Sequence, residues 1–200
     1  MALNDSVFAL ILAAGQSKRM HQSKIILPWG NTTIIEHIIS LFRKSGISDV
    51  FVVTGGYREA VELEVAKAGG RSIFNANYAN DELTISLQVG MGSISLNNYS
   101  AGFISLGDQP NIHQEDIKKL LEIHRLVPEK IVIPSFNFRR GHPWLVPSRY
   151  FDELAKLAPP ETLRTFLNKH NDDIEYVVVN DDDIITDLDT PEDYERLKPK

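Results

Sequence analysis

The sequence predicts an α/β fold, a single three-layer α/β/α domain around a mostly parallel sheet, and three observations carry that prediction. Short apolar runs rich in β-branched residues alternate with segments of helical periodicity, the pattern of parallel strands covered on both faces. At 200 residues and 42% hydrophobic composition, the chain has the length and apolar content of one globular domain. No linker, internal repeat or low-complexity stretch divides it.

The elements follow in order. Residues 7–12 carry no charge and read as a buried first strand. Thr33 and Glu36 make a capping box, and Ile34, Ile35, Ile38, Ile39, Leu41 and Phe42 form one helical face that stops at Gly46. Residues 49–54 predict a second strand, 57–68 a second helix and 71–74 a short third strand. A helix is expected over 81–96, although Gly90 and Gly92 each weaken it by about 1 kcal/mol. Residues 101–106 form a buried strand, and 114–127 form an amphipathic helix presenting Ile117, Leu120, Leu121, Ile123 and His124. Residues 130–134 are the next strand. The segment 137–147, with two prolines and a glycine around Trp144, Leu145 and Val146, reads as a loop leading into a short strand. Helices over 150–157 and 161–170 are separated by Pro159-Pro160, and 174–179 is a strand. Thr190 caps a last helix with Pro191 at its first position.

Composition removes several functions. With no cysteine, disulfides, thiolate nucleophiles and cysteine-based zinc or iron–sulfur sites are excluded. The balance of 27 acids against 21 bases, net −6, has no basic run to suit nucleic acid. No apolar run approaches the length of a membrane span, and the first five residues do not read as a signal peptide, so a cytoplasmic chain with no membrane partner is expected. The six histidines lack zinc-type spacing, no nucleophile elbow is present, and the Walker A and Gly-x-Gly-x-x-Gly patterns are missing.

In an open α/β sheet ligands bind beyond the carboxyl ends of strands. After the first strand come Ala13-Ala14-Gly15, then Lys18, Arg19 and Lys24, where exposed amides and fixed positive charge suit a polyphosphate. The same segment also reads as an ordinary βα turn with solvated bases. Asp108, at the end of the strand 101–106, is a natural holder of a divalent cation beside such a cradle, and Asp189, before the last helix cap, could complete the site. Asp108 also reads as a turn residue before Pro110, and Asp181-Asp182-Asp183 reads as a solvated turn. Among the histidines, His142 is the functional candidate, because it lies in a glycine- and proline-bounded loop after a strand.

The series LAAGQSKRM (12–20) with Lys24, LGDQP (106–110), RRGHP (139–143) and DLDTPEDY (187–194) resembles the MobA-like nucleotidyltransferases, and within them is most similar to the molybdenum cofactor cytidylyltransferase branch. The likeness runs over essentially the whole chain and implies a Rossmann-like sheet of the nucleotide-diphospho-sugar transferase type. The chain departs from the family pattern at His21, which replaces a glycine, and at Asp81-Glu82-Leu83, which replace a glycine and methionine. Pro160-Glu161-Thr162-Leu163-Arg164 keeps only the arginine of a family Gly-Asp-x-Gly-Ala-Arg stretch.

The resemblance implies transfer of CMP from CTP to the phosphate of molybdenum-loaded molybdopterin, with Mg²⁺ as cofactor and pyrophosphate released. It implies catalytic roles for Arg19, Lys24 and Asp108. Leu12, Ala13, Ala14, Gly15, Asn75, Ser86 and Gly107 would join Arg19, Lys24 and Asp108 around the nucleotide, and Asp108 and Asp189 would hold the metal. Arg140, Gly141, His142 and Pro143 would face the acceptor. A molybdenum hydroxylase apo-enzyme or its chaperone would receive the product. Ala14 favours the cytidylyl branch by analogy, because the guanylyl branch usually has Leu-Ala-Gly-Gly here. The alternatives are a guanylyltransferase, a transferase for another phosphorylated acceptor, and a non-catalytic cofactor carrier.

Overall fold

The computed structural model describes residues 6–20, 22–80 and 83–199; His21, Asp81 and Glu82, where the sequence departs from the family pattern, and the first five residues lie outside them. In chain order the elements are β1 (Val7–Ala13), β2 (Pro28–Trp29), β3 (Thr32–Thr33), α1 (Ile34–Lys44), β4 (Asp49–Thr54), α2 (Arg58–Lys67), β5 (Arg71–Phe74), α3 (Leu83–Ser93) and β6 (Ala101–Leu106). There follow α4 (Gln114–Leu126), β7 (Ile131–Phe136), β8 (Arg139–Arg140), β9 (Trp144–Pro147), α5 (Phe151–Lys156), α6 (Leu163–Lys169), β10 (Ile174–Val178) and α7 (Pro191–Leu197). None of these helices is long and apolar enough to cross a membrane.

The alternation in β1 sets the layers. Ala9, Ile11 and Ala13 face one core with Ile35, Ile38 and Ile39 of α1, Val61 and Val65 of α2, and Ile117 and Leu120 of α4. Phe8, Leu10 and Leu12 face the other, with Leu87 and Met91 of α3, Phe151 and Leu154 of α5, and Phe166 and Leu167 of α6. Each buried Val, Leu, Ile, Phe or Met side chain among these contributes about 1.5–3 kcal/mol relative to exposure, so one uncharged strand anchors both helical layers. The capping box of α1 is formed, with Thr33 N donating to Glu36 Oε2 at 2.8 Å and Glu36 N donating to Thr33 Oγ1 at 3.4 Å. Gly46, just past α1, has φ +92, the left-handed conformation that closes a helix and favours glycine.

The sheet order is β10-β7-β9-β6-β1-β4-β5, with β8 added to β7. The pairs β1/β4, β1/β6, β4/β5 and β7/β10 are parallel. Because α1 leaves β1 on one face and α3 reaches β6 on the other, the crevice beyond the carboxyl ends of β1 and β6 is a topological switch point.

Two local expectations change. The segment 137–147 is not a loop before one strand: Arg139 and Arg140 pair antiparallel with Phe136 and Ser135, and β9 inserts antiparallel between β6 and β7. Only long-range partners specify this, because β9 is completed by β6, some 40 residues earlier. The helix expected over 81–96 runs as α3 from Leu83 to Ser93, and its glycine has a packing role. A Cβ at Gly90 would lie 2.8 Å from Leu10 and 2.9 Å from Val53 side-chain atoms, so glycine lets α3 seat on the sheet.

Candidate active site

Beyond β1 and β6 lies a cleft of about 430 Å³ lined by Leu12, Ala13, Ala14, Gly15, Arg19, Lys24, Ser86, Gly107, Asp108 and Asp189. Gln16, Ser17, Ile25, Tyr78, Leu83 and Leu106 complete its wall; sequence reasoning did not single these out as site residues. Gly107 N donates to Leu12 O at 2.9 Å, which fixes the end of β6 against β1. A Cβ on Gly107 would stand 2.8 Å from Ala13 Cβ, so this approach requires glycine.

Lys24 stands at the centre. Its Nζ donates to Asp108 Oδ2 at 2.8 Å and to Asp189 Oδ1 at 2.9 Å, bringing together carboxylates 81 positions apart. Arg19 NH1 reaches the second oxygen of Asp189 at 3.2 Å. Burial alone would lower the Lys24 pKa, but Asp108 and Asp189 outweigh it and hold the ammonium above its ordinary value. Ser17 Oγ accepts from Lys24 N at 3.1 Å and so links the loop to the lysine.

A backbone bond from Leu188 N to Asp108 O at 2.8 Å holds the segment of Asp189 against β6. Beside it Gln109 Nε2 donates to Asp187 Oδ1 at 2.8 Å. Desolvation raises the Asp187 pKa, aided by Asp108 and Asp189 and opposed by the Gln109 bond. Gln109 and Asp187 had no assigned role in the sequence, although both flank residues that had one. Asp108 and Asp189 offer carboxylate oxygens converging on one cation, a donor set that fits a hard divalent metal ion.

Asn75 is fully buried behind the cleft wall, where its Nδ2 donates to Ser86 Oγ at 3.1 Å. The acidic turn at 181–183 is more engaged than a solvated turn, with His113 Nε2 lying 2.9 Å from Asp183 and 3.7 Å from Asp181.

A second cleft adjoins the first, sharing Leu83, and contains Arg140 and His142. The four residues expected to face an acceptor are therefore split. Gly141 and Pro143 are buried, and a Cβ at Gly141 would meet Ile184 at 2.5 Å. Arg140 donates to Tyr176 Oη, Asn168 Oδ1 and Asn171 Oδ1 at 2.8–2.9 Å, so every guanidinium nitrogen has an acceptor within the protein. His142 stacks on Trp144 with ring centroids 4.6 Å apart, and its covered Nε2 has no protein partner. Burial lowers its pKa to about 4, which keeps the ring neutral near pH 7.

The MobA-like NTP transferase domain model matches residues 9–174. The molybdenum cofactor cytidylyltransferase of Escherichia coli (strain K12) is 28% identical over 201 residues, covering 98% of this chain and 97% of that protein. The nicotine blue oxidoreductase of Paenarthrobacter nicotinovorans is 25% identical, covering 96% of each. A nucleotidyl transferase from Methanothermobacter thermautotroptrophicus has the same fold, with a TM-score of 0.80 at 19% identity and 96% of each chain covered.

Proposed function

The chain belongs to the MobA-like NTP transferase family, and from that premise we propose that it transfers CMP from CTP to the phosphate of molybdenum-loaded molybdopterin, releasing pyrophosphate. The convergence of Asp108 and Asp189 on Lys24, at the end of the small-residue loop 12–15, carries this reading. Two relatives of nearly equal identity bear names of different reaction classes, so the side chains have to separate them. A cleft of small residues, fixed cations and paired carboxylates suits a triphosphate, and the sequence lacks the dinucleotide fingerprint of a hydride-transfer enzyme.

In the proposed reaction an oxygen of the acceptor phosphate attacks the α-phosphorus. A bond to that oxygen forms, the bond from the α-phosphorus to the bridging oxygen breaks, and pyrophosphate departs with the electron pair. A phosphate monoester has a second pKa of about 6, so near neutrality it attacks as a dianion without a general base. Catalysis then rests on position and charge. Backbone amides of Ala13 to Gly15 hold the nucleotide, while Lys24 and Arg19 offset charge on the triphosphate and leaving group. Ser86, braced by Asn75, and Gly107 shape the wall. Mg²⁺ bound by Asp108 and Asp189 would supply further charge neutralisation at the phosphates. The adjoining cleft, lined by Arg140 and His142 while Gly141 and Pro143 are buried, is the acceptor side, and the product is passed to a molybdenum hydroxylase apo-enzyme or its chaperone.

Pyrophosphate release with Mg²⁺ and the molybdenum-loaded acceptor, offering CTP, GTP, ATP and UTP separately, tests this. CTP-dependent release that disappears in Asp108→Ala is expected. Preference for GTP would move the chain to the guanylyl branch, and nucleotide binding without release would favour the carrier.

A further inference from the structure

Asp108 and Asp189 converge although only one of them stands at the end of a strand. Residues 186–189 lie outside every strand and helix, so the Asp189 carboxylate is carried on chain that no sheet ladder or helical bonding holds in place. Two rungs join this segment to the residues just beyond β6. Leu188 N donates to Asp108 O at 2.8 Å, and Gln109 Nε2 donates to Asp187 Oδ1 at 2.8 Å. One rung fixes a distance and leaves the segment free to pivot about it. A second rung between the adjoining residues fixes the orientation as well, and with it the direction in which Asp189 leaves the backbone.

The glutamine has no explanation in packing. Gln109 is only 3% exposed, and its Oε1 has no hydrogen-bond partner among the described residues. An amide buried with its oxygen unpaired carries a desolvation cost that an apolar side chain of similar size avoids. The hydrogen bond that this amide does make is the one to Asp187. Asp187 is exposed and lies near enough to Asp108 and Asp189 to feel their charge, so neither burial nor charge balance accounts for an acid there. From the other side, Asp193 Oδ2 accepts from Thr190 N at 3.0 Å and from Asp189 N at 3.3 Å. Tyr194 Oη donates to Pro28 O at 2.7 Å and so anchors α7 to a distant part of the chain. Asp189 is thus braced by the helix cap on one side and by the two rungs on the other.

We infer that Gln109 and Asp187 are positioning residues, whose bond, together with the Leu188–Asp108 rung, sets the separation and aim of the Asp108 and Asp189 carboxylates and thereby their affinity for a divalent cation. The inference rests on the proposed reading in taking Asp108 and Asp189 as the pair that holds the cation. Asp187 contributes an acceptor oxygen at a fixed place, not a ligand to the metal, and Gln109 acts only through it.

Mn²⁺ alone, titrated into the full chain and followed by electron paramagnetic resonance, is the probe. Asp187→Ala removes the acceptor at an exposed position, and Gln109→Leu removes the donor while keeping a side chain of similar size. Each should weaken Mn²⁺ binding by about tenfold. The double variant should bind no more weakly than either single one, because all three lose the same bond. Asp187→Asn keeps an oxygen that accepts from Gln109 Nε2 and removes only a solvent-screened charge, so it should stay within about twofold of the parent chain. Melting temperatures of Asp187→Ala and Asp187→Asn should agree within about 3 °C, which separates positioning from a general loss of stability. A loss in Asp187→Asn as large as that in Asp187→Ala would make the carboxylate itself the active group and overturn the inference. Additive losses in the double variant, parental binding in both single variants, or no Mn²⁺ binding by the parent chain at millimolar concentration would overturn it too. The expected pattern in a chain that releases no pyrophosphate with any nucleotide would sustain this assignment while sinking the nucleotidyl-transfer reading. CTP-dependent release accompanied by parental Mn²⁺ binding in both single variants would do the reverse.

Discussion

The first cleft sets Arg19 and Lys24 against Asp108 and Asp189, whereas the second sets three arginines against Glu161 and surrounds them with Phe138, His142, Trp144 and Tyr176. In the first, cations and carboxylates neutralise one another and hold their own geometry, as the two short bonds from Lys24 demonstrate. In the second, positive charge exceeds negative and apolar ring faces supply the contact area. The contrast teaches that neighbouring clefts of one domain can differ in kind: one holds balanced charges in fixed geometry, and the other combines excess positive charge with aromatic surface.

The largest break in this comparison is expected from Lys24→Ala. It leaves Asp108 and Asp189 converging without their shared cation, and pyrophosphate release should fall by about 10²–10³-fold, measured in single-turnover assays.

In the second cleft the sharpest probe is pH. The His142 pKa falls from 6.5 to about 4 on folding, so the unfolded chain takes up the proton first. Stability from this group is therefore complete above pH 6.5 and is lost as pH falls toward 4, by about 2 kcal/mol after allowance for the ring's partial exposure. Urea unfolding of the parent chain and His142→Phe should diverge across that window, and parallel curves would remove His142 as the cause.

Arg140→Ala separates scaffold from ligand contact. It loses three hydrogen bonds to Tyr176, Asn168 and Asn171 and should cost about 1–2 kcal/mol in the same unfolding experiment, with CTP affinity unchanged. The smallest expected effect on stability is that of Arg19→Gln. Its ion pair with Asp189 is well exposed, so the melting temperature should move by less than about 2 °C. CTP affinity should still weaken, and more so at low salt.

Much of the fold was legible because its signals are local. The uncharged run in β1, the Thr33/Glu36 box and the Thr190-Pro191 start of α7 each act over a few residues, and all three appear where the sequence puts them. The helix expected across Gly90 is present, but the reason for its glycine was not legible: the helix penalty is local, while the benefit comes from Leu10 and Val53 on distant strands. Gln109 and Asp187 were similarly hidden, since nothing in either neighbourhood reveals a bond across 78 positions.

The sequence by itself determined the layer pattern, the small-residue loop after β1, and which acids and bases were available for chemistry, because periodicity and residue type act within a turn or two of chain. Only the tertiary structure decided that Lys24 would join Asp108 to Asp189, that Arg140 would be engaged by its neighbours, and that β9 would run antiparallel between β6 and β7. Those outcomes depend on which strand ends meet, and strand order is set by how whole faces are buried rather than by any local run of residues.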